Sequence, residues 1–135
     1  MSESSELALT LPSTFAVMDD VTAEIQHFLD EHVPDEDVSF RTALVASEAI
    51  TNALEHGNGL DSSKTVTVRI APNLPAVRVE VTDEGPGFDP ASAPRSELGD
   101  FTSEGGRGLT LMYELADEVL FEDDGRMCIL LVRPR

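Results

Sequence analysis

The chain has one cysteine, one lysine and no tryptophan, and each scarcity closes off a class of function. Cys128, standing alone, can form neither an intramolecular disulfide nor a multi-cysteine metal site. Lys64 is the only lysine, and Lys and Arg together number 9 against 26 Asp and Glu, for a formal net charge of -17. Nucleic-acid binding requires clustered Lys and Arg to neutralise phosphates, and no basic stripe exists here, so direct nucleic-acid binding is excluded as an expectation. Apolar runs are short as well: none approaches the roughly 20 residues of a membrane span. The opening MSESSELALT lacks the basic region and apolar core of a secretory signal. A cytoplasmic protein without a membrane partner is the expectation.

What remains is 135 residues, 41% of them hydrophobic, enough for one domain spanning 1–135 that buries about two thirds of its unfolded surface. The acidity is uneven, since residues 1–40 contain 10 Asp or Glu and no Lys or Arg. A solvated, salt-adapted surface and an acidic docking face for a basic partner both fit that distribution. In either case self-repulsion predicts a fold that gains stability as salt is added.

Hydrophobic periodicity sets out the elements. Leu7, Leu9 and Leu11 alternate and stop at Pro12, which predicts a short half-buried strand. A helix capped by Ser13 or Thr14 follows, with Val17, Val21, Ile25, Phe28 and Leu29 at helical spacing and Pro34 ending it. The stretch from about Asp37 to His56 predicts a second helix, with Phe40, Leu44 and Leu54 as apolar positions and Ala43, Ala46, Ala49 and Ala53 permitting close packing. The period then drops to 2 at Val66, Val68 and Ile70 and again at Val77, Val79 and Val81, an antiparallel strand pair. Residues 88–105 have no period and read as a loop or lid. A short helix from about Arg107 to Ala116 and two strands, EVLFED and MCILLV, complete the order. The expected fold is an α/β two-layer sandwich, its helices covering one face of a mixed, mostly antiparallel five-stranded sheet.

Three segments could carry chemistry. In SEAITNALEHGN, Glu48 and Asn52 share a helix face, with Glu55 or His56 one turn on. A carboxylate and a carboxamide so placed can supply a proton acceptor and a hard oxygen ligand for magnesium; a solvated face is the alternative. In VEVTDEGPGFDP, Asp83 ends a strand and Gly85 and Gly87 follow in a tight turn. Asp83 could accept a hydrogen bond from an exocyclic amine, and glycine leaves room for a ligand, although acid-rich turns are common. In EGGRGLTLM, Gly105, Gly106 and Gly108 precede a helical period, so backbone amides could converge on phosphate oxygens. Arg107 could orient phosphate or contact a partner. The segment lacks the lysine and hydroxyl of a P-loop.

In this order the three segments resemble the N-box and the two glycine boxes of the GHKL ATPase superfamily, and the compact chain resembles its bacterial anti-sigma-factor serine/threonine kinases. The resemblance runs from the strand at Leu7 to the strand near Val132. It implies ATP and Mg2+ as cofactors, Glu48 as general base, Asn52 as the magnesium ligand together with ATP phosphates, and Asp83 as the adenine contact. Gly85 and Gly87 would shape the base pocket, Gly105, Gly106, Arg107 and Gly108 the phosphate end of an ATP lid over 88–105. The implied function is phosphorylation of an anti-sigma-factor antagonist and sequestration of a sigma factor, in a homodimer whose interface would lie near Leu7 to Phe28. Thr110 and the lack of lysine around the lid depart from many relatives. A stand-alone ATP-binding module that controls a partner without efficient phosphotransfer is the alternative. His27 and His32 read as surface polar groups, His56 as a helix-end hydrogen-bond partner, and Cys128 as a buried small hydrophobe.

Overall fold

A computed structural model describes residues 5–87 and 111–135. The expected lid at 88–105 and the turn containing Gly105, Gly106, Arg107 and Gly108 lie outside the described residues. The elements are β1 (Leu7–Pro12), α1 (Met18–His32), α2 (Glu36–Asn52), β2 (Thr65–Asn73), β3 (Ala76–Thr82), β4 (Glu118–Glu122) and β5 (Met127–Val132). Residues 111–115, just before β4, are helical and are called α3 here.

The five strands run in the order β1-β2-β3-β5-β4, and all four pairings are antiparallel. The sheet's two faces follow from the two-residue period. Val66, Val68 and Ile70 of β2, Val77, Val79 and Val81 of β3, and Cys128, Leu130 and Val132 of β5 point the same way and are buried. Against them lie Val21, Ile25, Phe28 and Leu29 of α1 and Val45, Ala46, Ala49 and Ile50 of α2, forming one core. Each fully buried Val, Leu or Ile contributes about 1.5–3 kcal/mol of transfer free energy, so the alternation alone commits this face to the helices. The opposite face carries ion pairs such as Arg69 with Glu6, and Arg78 with Glu80. The apolar positions expected near a dimer interface, Leu11, Val21, Ile25 and Phe28, belong to the core.

Local chemistry explains the helix starts. Thr14 caps a single 3-10 turn at Phe15–Val17, from which α1 continues. The Asp35 carboxylate accepts from the Val38 amide at 3.0 Å, and Glu36 and Asp37 place negative charge in the first turn of α2. The buried face of α2 differs from the expected stripe. Phe40 is 61% exposed, whereas Arg41, only 2% exposed, and Thr42 face inward. Arg41 is buried because its guanidinium has partners on four sides: Asp37 at 2.8 Å, the Leu115 carbonyl at 2.9 Å, Asp117 at 3.4 Å, and the Arg133 carbonyl. It ties α2 to the end of α3 and to the exit of β5. Burial alone would raise the Asp117 carboxyl, but the Arg133 amide and the Arg41 guanidinium outweigh it and hold the group below the usual range.

Cys128 is a buried free thiol, and burial pushes it up to about 12, which keeps it protonated and inert as expected of a small core hydrophobe. Among the described residues no helix is long and apolar enough to cross a membrane.

Candidate nucleotide site

The regular helix α2 stops at Asn52, four residues before the expected His56, and the chain continues as a wide π turn over Ala53–Gly57. There the Asn58 amide reaches back to the Ala53 carbonyl at 2.8 Å and the Leu60 amide to the Leu54 carbonyl at 2.8 Å. Such a widened turn re-aims the residues after it and is common at functional sites. Here it delivers Gly57 and Asn58 to the end of β3.

Asp83 follows β3, and its amide donates to the Arg126 carbonyl at 3.0 Å, next to the β4–β5 turn. One carboxylate oxygen, Oδ1, accepts from the Gly85 amide at 2.8 Å. The rest of the carboxylate stands over Gly57: a Cβ added at Gly57 would lie 2.4 Å from both Cγ and Oδ2 of Asp83. A Cβ on Gly85 would come within 1.8 Å of the Gly57 carbonyl oxygen, and one on Gly87, which has φ +83, within 2.3 Å of the Asp124 carbonyl oxygen. Gly85 and Gly87 are therefore required by close backbone approach, and Gly87 also by its left-handed backbone, whereas Gly57 makes room for the Asp83 side chain. Partial burial raises the Asp83 carboxyl above its ordinary value, opposed by the Gly85 amide and the positive charge of Arg126.

Two polar side chains brace this loop. Asn58, 3% exposed, donates to Ser13 Oγ at 2.9 Å and the Thr65 carbonyl at 3.0 Å, while its Oδ1 accepts from the Glu84 amide at 2.7 Å. Arg126 donates to the Gly85 carbonyl at 2.8 Å and to the Pro86 carbonyl at 3.4 Å. Gly57, Asn58 and Arg126 were not among the residues expected from the sequence. Gly57 and Asn58 close the segment SEAITNALEHGN, in which Glu48, Asn52, Glu55 and His56 draw the attention, and Arg126 sits in a turn that no motif marks.

Glu48 and Asn52 are half-buried on α2, four residues apart on one face. The side-chain nitrogen of Asn52 is buried without a hydrogen-bond partner, an unusual state for a donor and one that an acceptor such as a phosphate or water oxygen would complete. His56 is exposed and lies 3.5 Å from Glu55. Among the described residues no three His, Cys, Asp or Glu converge to hold a metal ion.

A helical layer on an antiparallel sheet, with an acid–asparagine helix face ending against an aspartate–glycine loop, is the arrangement of a GHKL-type ATP-binding domain. The chain belongs to the histidine kinase-like ATPase domain family, which it matches over residues 11–133, and it is related to the anti-sigma-factor serine/threonine kinases. Serine-protein kinase RsbW of Bacillus subtilis is 33% identical over 98 residues, covering 67% of this chain and 61% of that relative. Anti-sigma F factor of Geobacillus stearothermophilus is 34% identical over 85 residues, covering 59% of this chain and 57% of the relative. The chain thus spans about three fifths of the length of these relatives. A crystal structure of RsbU and RsbW domains from Mycobacterium tuberculosis has the same fold, with a TM-score of 0.62 at 22% identity over 97% of this chain and 32% of that one.

Proposed function

We propose that this domain is an ATP-dependent serine/threonine protein kinase that also acts as an anti-sigma factor. Its substrate would be a hydroxyl of an anti-sigma-factor antagonist, and its second partner a sigma factor. The observation that carries the reading is the packing of Gly57, in the turn that follows the helix bearing Glu48 and Asn52, against the Asp83 carboxylate. The names of the relatives, a serine-protein kinase and an anti-sigma factor, support the choice of reaction and partners.

Each residue has a distinct task in this reading. Asp83 accepts a hydrogen bond from the adenine amine, and Gly85 and Gly87 leave room for the base. Asn52 would hold magnesium through its carboxamide oxygen, together with ATP phosphates. Glu48 accepts the proton of the substrate serine or threonine hydroxyl as its oxygen forms the new bond to phosphorus. The bond from the γ-phosphorus to the β–γ bridging oxygen breaks, and ADP carries away the bonding electron pair. Magnesium, when bound, offsets negative charge on the phosphates. Gly105, Gly106, Arg107 and Gly108 would hold phosphate at the end of a lid over 88–105. Function as a homodimer in the cytoplasm belongs to the same proposal.

Calorimetric titration with a non-hydrolysable ATP analogue, with and without magnesium, tests the site. Asn52→Ala is expected to weaken magnesium-dependent binding, while Glu48→Gln retains binding and suppresses phosphate transfer to the antagonist. Equal transfer by wild type and Glu48→Gln would reject the base. Magnesium-dependent binding with no transfer to any antagonist would turn the reading to a regulatory ATP-binding module.

A further inference from the structure

A carboxylate only accepts hydrogen bonds, but by itself it does not choose between purines. An adenine edge offers it one exocyclic amine. A guanine edge offers two adjacent donors, the ring N1–H and the 2-amino group, which together match both oxygens of a free carboxylate. What decides between them is how many oxygens the carboxylate has available and whether it can turn.

In this protein the Asp83 carboxylate is constrained on both counts. Oδ1 is engaged by the Gly85 amide at 2.8 Å, and the carboxylate lies against Gly57 with Oδ2 the nearer oxygen; Oδ2, which has no hydrogen bond among the described residues, is the one that can take a base. The Gly85 amide is itself held in place. The preceding Glu84 amide is tethered to buried Asn58 at 2.7 Å, and the Gly85 carbonyl accepts from Arg126 Nε at 2.8 Å. Arg126 also bonds the Asp123 carbonyl at 3.1 Å, so its fork spans the loop after β3 and the β4–β5 turn.

We propose that Arg126, with Asn58, is a positioning residue for purine selectivity: it holds the Gly85 amide on Oδ1 of Asp83 so that the site presents one acceptor and admits an amino purine over a guanine edge. The proposal rests on the reading that Asp83 contacts the base. Arg126 itself touches no nucleotide in it. Loss of the fork frees the Gly85 carbonyl, and with it the loop segment that carries the Gly85 amide, releases Oδ1 and lets the carboxylate offer two oxygens.

The test is calorimetric titration of the whole chain with non-hydrolysable ATP and GTP analogues, each with and without magnesium, for wild type, Arg126→Gln and Arg126→Lys. Wild type is expected to prefer the adenine analogue. Arg126→Gln is expected to lower that preference by about tenfold, the scale of one positioned hydrogen bond, while the gain in affinity from magnesium, which depends on Asn52, stays as in wild type. Arg126→Lys keeps the charge but cannot span both carbonyls, and is expected to match Arg126→Gln. A purely structural role would weaken both analogues in parallel and leave their ratio unchanged, which overturns the proposal. So does full selectivity in Arg126→Lys, because charge alone would then suffice. If wild type binds both analogues equally, the assignment of Asp83 to the base fails; if wild type discriminates and both variants do so equally well, only the role of Arg126 fails.

Discussion

Gly57 lies directly beneath Asp83, so close that a Cβ at residue 57 would stand 2.4 Å from the carboxylate carbon. The contact joins the turn after α2 to the end of β3, and the Asp83 side chain occupies the place a methyl group would take. Gly57→Ala is therefore expected to push Asp83 out of place at an overpacking cost of about 1–3 kcal/mol, most of it expressed as weaker adenine-nucleotide binding. Titration of the variant with the ATP analogue, beside its thermal melt, checks this. Unchanged affinity would show that Asp83 can move without consequence.

Among the described residues Arg41 is the one charged group in the set of largest fully buried side chains. Replacing it by methionine keeps an unbranched apolar stem but leaves the Leu115 and Arg133 carbonyls without this donor and Asp117 without the Arg41 guanidinium. The expected loss is about 3–5 kcal/mol, read from urea unfolding. Asp37→Asn, whose side chain is half-exposed, should cost less than about 1 kcal/mol. Similar midpoints for the two variants would contradict this account of the buried guanidinium.

Asp83 is raised chiefly by burial, and the direction fixes two opposite consequences. An acid raised in the folded state costs stability above its folded pKa, and the cost fades as pH falls towards the unfolded value. Asp83→Asn should thus stabilise the nucleotide-free domain at neutral pH and confer no such gain in acid. Binding moves the other way, because the adenine amine needs the ionised carboxylate. The ratio of wild-type to Asp83→Asn affinity for the ATP analogue should fall on acidification, beginning above the range of an ordinary Asp; taking the ratio at each pH cancels the titration of the phosphates. A pH-independent ratio would remove the carboxylate from the base contact.

With a net charge of -17, the folded chain repels itself. At about 0.1 M ionic strength the screening length is roughly 10 Å, and it shortens with added salt. The melting temperature is expected to climb with sodium chloride from low to near-molar concentration. A flat or falling curve would mean that local ion pairs such as Arg69–Glu6 outweigh the general repulsion.

Much of this was legible from the amino-acid order. Alternation at Val66, Val68 and Ile70 and at Val77, Val79 and Val81 marked strands and their buried face, because a two-residue period leaves one arrangement that hides all six from water. The four-residue spacing of Glu48 and Asn52 put them on one helix face for the same kind of reason, a fixed repeat. Phe40 was misassigned to the buried stripe because side-chain type was the guide. What buries Arg41 in its stead is a set of acceptors that includes carbonyls 74 and 92 residues away.

The sequence by itself determined the elements, the sheet's inner face and the positions of the acid, amide and glycine groups, since these depend on local spacing and on which side chains water rejects. Tertiary structure alone decided that α2 opens into a π turn, that Gly57 meets Asp83, and that Asn58 and Arg126 hold the loop between them. Those contacts join residues 26 and 41 positions apart, and a hydrogen bond has a partner only once folding has brought donor and acceptor within reach.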